Sequence, residues 1–235
     1  MKLGLFADPH YCKKELLCSN RRPILSLGKI REALEAFQKA EVDYCVCLGD
    51  LTDRGDSHEE TEQCLREAME LIRASALPFL FIPGNHDYAE FTAEALAAHT
   101  GCPAVPYTVE TDSHLLIFLD ASYRSDFRRY DIAGVDWKDS NLPPEQLEFL
   151  RQTLETAIKP CILFLHENLD PHVQIDHIIK NASVARSILE ESGKVPLVIQ
   201  GHYHPGADHT ISGIRYLTLP AMCEGTENHY CVLEI

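Results

Sequence analysis

Five short polar clusters in this 235-residue chain carry the side chains that could do chemistry. They are "ADPH" with Asp8 and His10, "GDLTDRG" with Asp50, Asp53 and Arg54, "GNHD" with Asn85, His86 and Asp87, "LHEN" with His166, and "GHYH" with His202 and His204. All offer carboxylate, imidazole or amide donors, and none contains cysteine. Mixed oxygen and imidazole sets suit Mn²⁺, Fe, Co²⁺ or Zn²⁺ in a reactive site better than they suit a closed structural zinc cage. There are too many donors for one ion that must also keep a position open, so two ions are expected. Asp8-x-His10 and His202-x-His204 share i, i+2 spacing, which in extended backbone puts both side chains on one face. Glycines at 49, 84 and 201 let the backbone turn sharply beside them.

The clusters need positioning, and each follows a short apolar run. Buried strands are expected near 2–7, 43–48, 78–82, 114–119, 161–165 and 195–199, most of them ending in a cluster of Asp, His, Asn or Gly. Helical periodicity fills the gaps in "LSLGKIREALEAFQKA", "SHEETEQCLREAMELIRASA", "EFTAEALAAH", "PPEQLEFLRQTLETAI" and "ASVARSILEES", the last stopped by Gly193. This alternation argues for an α/β fold, in which residues remote in sequence converge beyond the carboxyl ends of the strands. The last 30 residues, from Gly206, read as a meander turning at Ser212-Gly213, which suggests a second, mainly antiparallel sheet. No repeat or linker divides the chain, so residues 1–235 are expected to form one domain.

Thirty-six acidic residues against 21 Lys plus Arg give a formal charge of −15, which opposes attraction to nucleic acid or to an anionic membrane. Nine cysteines with no CxxC pair, several inside apolar runs, read as free buried thiols in a reducing compartment. The opening apolar run is too short for a signal-peptide core and no stretch of 18 apolar residues occurs, so a cytoplasmic protein is expected.

Taken in order, D-x-H, G-D-x-x-D-R-G, G-N-H-D, a lone His and G-H-x-H resemble the calcineurin-like metallophosphoesterase superfamily over residues 8–204. The resemblance implies a four-layer α/β/β/α sandwich of two mixed sheets, the metallo-dependent phosphatase fold, with two metal ions (Mn, Fe or Zn). It would give Asp8, His10 and His204 to one ion, Asn85, His166 and His202 to the other, and Asp50 to both. It also places His86 beside the phosphate as a catalytic imidazole oriented by Asp53. Two such ions can activate a bridging water for in-line attack on a phosphoryl group. "LHEN" departs from the usual surroundings of the lone His, which leaves His172 as an alternative to His166. Arg54 could contact a phosphate oxygen or seal its turn. Asp87 could buttress the metal loop or cap a helix starting near Tyr88.

Two basic loops could rim the crevice: Lys13, Lys14, Arg21 and Arg22 in one, and Tyr123, Arg124, Arg128, Arg129 and Tyr130 in the other. Segment 120–141, with Trp137, is the expected specificity element, and Arg128 and Arg129 are candidate substrate contacts. The histidines at 58, 99, 114, 177, 209 and 229 read as ordinary surface or satisfied residues. "DPHY" and "LPPEQLEFLRQTL" are further similar to the branch of ADP-ribose/CDP-alcohol diphosphatases and class III cyclic-nucleotide phosphodiesterases. The expected activity is therefore hydrolysis of a phosphodiester or diphosphate in a small nucleotide-like substrate. A phosphomonoesterase or protein phosphatase, or a non-catalytic scaffold of the same fold, is the alternative.

Overall fold

The computed structural model describes residues 1–18, 20–132, 134 and 136–235. Ala133 and Val135 of the 120–141 segment, and Ser19 of the first basic loop, lie outside the described residues.

Two sheets form the centre. The first has the order β10-β1-β2-β3, from Cys231–Glu234, Lys2–Phe6, Tyr44–Cys47 and Phe79–Phe81. In it β1, β2 and β3 run parallel, and β10 is antiparallel to β1. The second has the order β4-β5-β6-β7-β9-β8, from Tyr107–Glu110, Leu115–Phe118, Cys161–Phe164, Leu197–Gln200, Ile214–Thr218 and Ala207–Ile211. Its middle pairs are parallel and both edge pairs antiparallel.

Strand alternation separates three apolar cores and so stacks four layers. On β1 and β2, Leu3, Leu5 and Val46 face the other sheet, where they meet Phe118, Phe164 and Ile199. Phe6, Cys45 and Cys47 face outward onto helices α1 (Ser26–Ala40) and α2 (His58–Ala74). Between the sheets Tyr107, Phe118 and Phe164 stack with centroids 4.5 and 4.7 Å apart. The second sheet's other face packs Leu163 and Val198 against Leu150, Leu154, Ala185 and Leu189 of α5 (Pro144–Thr156) and α6 (Ala182–Ser192). This is an α/β/β/α sandwich.

The helices begin and end where local chemistry requires. Ser57 accepts a hydrogen bond from the Glu60 amide at the start of α2, with two glutamates in the first turn favoured by the helix dipole. Pro144 opens α5, and α6 stops at Gly193 in a left-handed conformation. Two further short helices, α3 (Asn85–Tyr88) and α4 (Ala93–Thr100), follow β3.

The segment from Gly206 onward does not make a sheet of its own. The hairpin turns at Ser212-Gly213, both left-handed, but β9 then pairs in parallel with β7 and extends the second sheet. Strand β10 instead crosses to cover β1. The hairpin signal is local, whereas the choice of partner depends on which sheet edge lies open. All nine cysteines are free, seven of them buried. Among the described residues no helix is long and apolar enough to cross a membrane.

Candidate metal centre

The ladder between β1 and β2 continues past both strand ends. Asp8, His10 and Tyr11 donate their amides to the carbonyls of Gly49, Asp50 and Leu51 at 3.1, 2.8 and 3.0 Å. Asp8, His10, Asp50 and His202 have φ of 53°, 48°, 51° and 65°, so these residues are left-handed and not extended as the i, i+2 spacing suggested. Left-handed turns swing the side chains off the strand ends and into one point between the sheets. Gly49 and Gly84 permit the close approach: a Cβ on Gly49 would stand 2.5 Å from His166 Nδ1, and one on Gly84 would overlap the Asp50 carboxylate.

Asp50 Oδ2 stands between two imidazoles, 3.4 Å from His10 Nε2 and 3.3 Å from His166 Nε2. Asp8 Oδ1 lies 3.8, 3.9 and 3.7 Å from the Nε2 atoms of His10, His166 and His204. The rings of His166 and His202 meet with centroids 5.1 Å apart. Second contacts fix the rings. His166 Nδ1 lies 2.6 Å from the Leu48 carbonyl, and His204 Nδ1 lies 2.7 Å from Glu224 Oε1. Donation from Nδ1 in each case leaves the Nε2 lone pair facing inward. The His202 amide donates to Asp8 Oδ2 at 3.0 Å, and the Cys223 amide to the Asp8 carbonyl at 3.1 Å.

What these atoms lack is a partner. The Nε2 atoms of His10, His166 and His202 and Oδ1 of Asn85 are buried without a hydrogen bond. Buried polar atoms are rarely left so, and an unsatisfied one costs about 1–3 kcal/mol. Cations at this point would satisfy them, and the oxygen–imidazole donor set fits that role. Electrostatics divide the rings: against burial, Asp50 and then Asp8 raise His166 well above the usual imidazole value, so it must shed a proton to ligate. Burial pushes His10 down to about 3 against the pull of Asp50, and burial also holds His202 well below its usual value, so both rings are neutral donors. Burial opposes the charge on Asp50, yet His166 first and then His86 hold it well below the usual carboxylate range.

His86 differs from its neighbours. Its ring is one-third exposed, and Nδ1 lies 3.1 Å from Asp53 Oδ1. Burial works against its charge, but Asp50 and then Asp53 raise it above the ordinary imidazole value. Its amide donates to Asp50 Oδ1 at 2.8 Å. His86 also lines a cleft of about 400 Å³ with Asn85, Arg54, Glu90 and Trp137. The Trp137 ring lies 5.7 Å from that of His202.

Several expected contacts fall elsewhere. Arg128 and Arg129 do not line this cleft among the described residues. Arg128 is 83% exposed beside Asp126, whereas Arg129 binds the buried Asp120 at 3.1 Å and lies over the rings of Tyr88 and Tyr123. Arg54 lines the cleft and pairs through Nε with Glu90. Asp87 does both things left open for it: it accepts from the Gly84 amide at the start of α3 and from the Leu51 and Thr52 amides behind Asp50. His172, the alternative to His166, is turned to Asp170.

Two further residues shape this centre. Arg21, from the basic loop expected at the rim of the crevice, is a largely buried partner of Asp53 at 2.8 Å, and it touches His10 Nδ1 at 3.3 Å. Glu224, which holds His204, lies in no motif. Its segment is pinned by the buried Lys29, whose Nζ donates to the carbonyls of Met222, Glu224 and Gly225.

Residues 1–206 match the family model described as calcineurin-like phosphoesterase. The chain is 24% identical over 229 residues to the 3',5'-cyclic adenosine monophosphate phosphodiesterase CpdA of Haemophilus influenzae, covering 95% of this chain and 77% of that protein. It is 28% identical over 208 residues to the protein of that name in Escherichia coli, covering 87% and 69%. Among solved structures, a dimetal phosphatase from Danio rerio superposes with a TM-score of 0.85 at 18% identity, covering 99% of this chain and 91% of that one, a likeness of fold.

Proposed function

The chain belongs to the calcineurin-like phosphoesterase family, and on that premise we propose that it hydrolyses a phosphodiester or diphosphate bond in a small nucleotide-like molecule. The observation that carries the reading is the Asp50 carboxylate between His10 and His166, at 3.4 and 3.3 Å, amid buried nitrogens that lack partners. We assign Asp8, His10 and His204 to one metal ion, Asn85, His166 and His202 to a second, and Asp50 to both. Mn, Fe or Zn suits these donors. When bound, two such ions lower the pKa of water and neutralise phosphoryl charge.

The chain's own residues supply the rest. His86 faces the cleft and delivers a proton to the departing oxygen, a role supported by its raised proton affinity and its bond to Asp53. Asp53 in turn is steadied by Arg21, so the imidazole is held by a carboxylate that cannot swing away. Arg54, at the rim, binds a phosphate oxygen, and Trp137 offers a flat face for a base or sugar. The names of the two curated relatives favour a nucleotide phosphodiester. The charge of −15 disfavours a nucleic-acid polymer, because any anionic substrate must be drawn by local charge alone. We read residues 1–235 as one domain acting in the cytoplasm, with β10 completing the first sheet beside β1.

Purified protein loaded with Mn²⁺ should hydrolyse bis(p-nitrophenyl) phosphate. A panel of cyclic nucleotides, ADP-ribose, CDP-alcohols and phosphomonoesters then identifies the bond. Preference for a phosphomonoester would overturn the substrate class, and no hydrolysis above buffer would make the protein a scaffold.

A further inference from the structure

Apart from the convergent centre, Asp170, His172 and His209 bring one carboxylate and two imidazoles together from segments far apart in sequence. Asp170 and His172 lie in the loop after His166, and His209 lies on β8. Each offers a ligand atom within 4.8 Å of the other two. His209 Nδ1 is 2.6 Å from Asp170 Oδ2, His172 Nδ1 is 3.7 Å from Asp170 Oδ1, and the two rings meet edge-on at 5.1 Å.

The Asp170 carboxylate is wholly buried, and burying a carboxylate needs compensation. It accepts from the His172 amide at 2.9 Å and meets these two rings. A divalent cation here would offset the burial of its charge. The spacing suits one: with bonds of about 2.0–2.1 Å, tetrahedral zinc ligands stand roughly 3.3–3.5 Å apart. The observed distances lie on either side of that range, 2.6 Å from His209 Nδ1 to Oδ2 and 3.7 Å from His172 Nδ1 to the other oxygen, Oδ1, so the carboxylate faces both rings and small side-chain rotations bring the three donors around one ion. His172 and His209 have side chains 57% and 41% exposed, which leaves an entry path and room for solvent as a further ligand.

We propose that Asp170, His172 and His209 form a third cation site, separate from the catalytic centre, that takes Zn²⁺ through two imidazole nitrogens and the Asp170 carboxylate. Two imidazoles with one carboxylate favour a borderline transition metal over Mg²⁺ or Ca²⁺. The ion would tie the loop that begins at His166 to the strand that follows His204. The loop carries His166 and the strand follows closely on His204, so the third ion acts as a clamp behind the main centre.

The test uses the full chain loaded with Mn²⁺, titrated with Zn²⁺, desalted, and assayed for both elements. The wild type is expected to hold one equivalent of Zn²⁺ more than His172→Ala or His209→Ala, with Mn content unchanged in all three. Its thermal midpoint should rise with Zn²⁺, while each variant shows Zn²⁺ affinity at least about tenfold weaker. Both side chains are partly exposed, and unchanged bis(p-nitrophenyl) phosphate hydrolysis before Zn²⁺ addition shows that the variants are folded. The proposal is overturned if the wild type takes up no extra Zn²⁺, if Zn²⁺ enters only as Mn²⁺ leaves, or if the variants bind as much as the wild type.

Discussion

A single methyl group at Gly84 tests whether the metal centre depends on close backbone approach. Gly84 has φ −106° and ψ −178°, which any residue adopts, so Gly84→Ala introduces no backbone strain and acts through space alone. The added Cβ would overlap Asp50 Oδ1 and stand 2.7 Å from the Asp50 amide nitrogen and 2.8 Å from its Cγ. The nitrogen belongs to the main chain and cannot step aside cheaply, so the carboxylate must rotate or the 83–85 turn must lift. Overpacking of this kind costs about 1–3 kcal/mol. With an unfolding entropy of about 2.1 cal/mol/K per residue, a chain of 235 residues should lose roughly 2–6 °C in Tm. The larger effect falls on metal, because Asp50 is the carboxylate assigned to both ions. Elemental analysis after desalting should show at least one ion lost, with kcat down by about 10² or more. Gly28→Ala is the control, since beyond its chain neighbours and the backbone of α1 itself nothing lies within 4 Å of its added Cβ. It should gain about 0.5–1 kcal/mol, or roughly 1–2 °C, and leave turnover untouched. Gly84→Ala with wild-type metal content and kcat would refute the reasoning.

His86→Ala should keep both metals while kcat falls about 10²–10⁴, with a smaller loss for p-nitrophenyl esters whose leaving group needs no proton. Asn85→Ala should lower metal content, and the reverse pattern would exchange the two roles. Glu224→Gln leaves His204 Nδ1 with a neutral acceptor, so metal affinity should drop about 10–100-fold in a chelator competition, and an unchanged affinity would remove Glu224 from the site. Arg129→Ala strands the buried Asp120, which keeps the Tyr88 hydroxyl and Ser122 amide as partners, so it should cost about 1–3 kcal/mol in denaturant midpoint with KM unaltered. Arg54→Ala should do the opposite, raising KM for a nucleotide with little change in stability, and equal effects from both substitutions would contradict the division drawn between them.

The strand-end clusters were legible because a short apolar run followed by Asp, His, Asn and Gly is a local pattern. The helices were legible for the same reason, α6 starting and stopping at the residues its periodicity marks. Pairings between distant segments were not. Strand β4 sits beside Pro103 and Pro106 with alternate residues exposed, so no apolar run announced it. The partner of β10 is the other end of the sequence, a contact that no window of residues contains. Arg21 and Arg129 looked like loop charges because the carboxylates that bury them, Asp53 and Asp120, lie 32 and 9 residues away. His209 looked like an ordinary strand residue because Asp170 stands 39 positions earlier.

The left-handed backbone at Asp8, His10, Asp50 and His202 sets heat tolerance against catalysis. Each such residue is held roughly 1 kcal/mol above a right-handed one. Together the four approach about 4 kcal/mol, a large fraction of the 5–15 kcal/mol that typically separates folded from unfolded chains. A library of variants selected for heat resistance alone would therefore drift toward glycine at these positions and discard the donors with the strain. One selected for turnover would keep them and draw its robustness from bound metal, since an ion that binds only the folded chain raises stability with its own concentration. In cells short of metal, the same four residues would make abundance of the protein, and not only its activity, follow the supply.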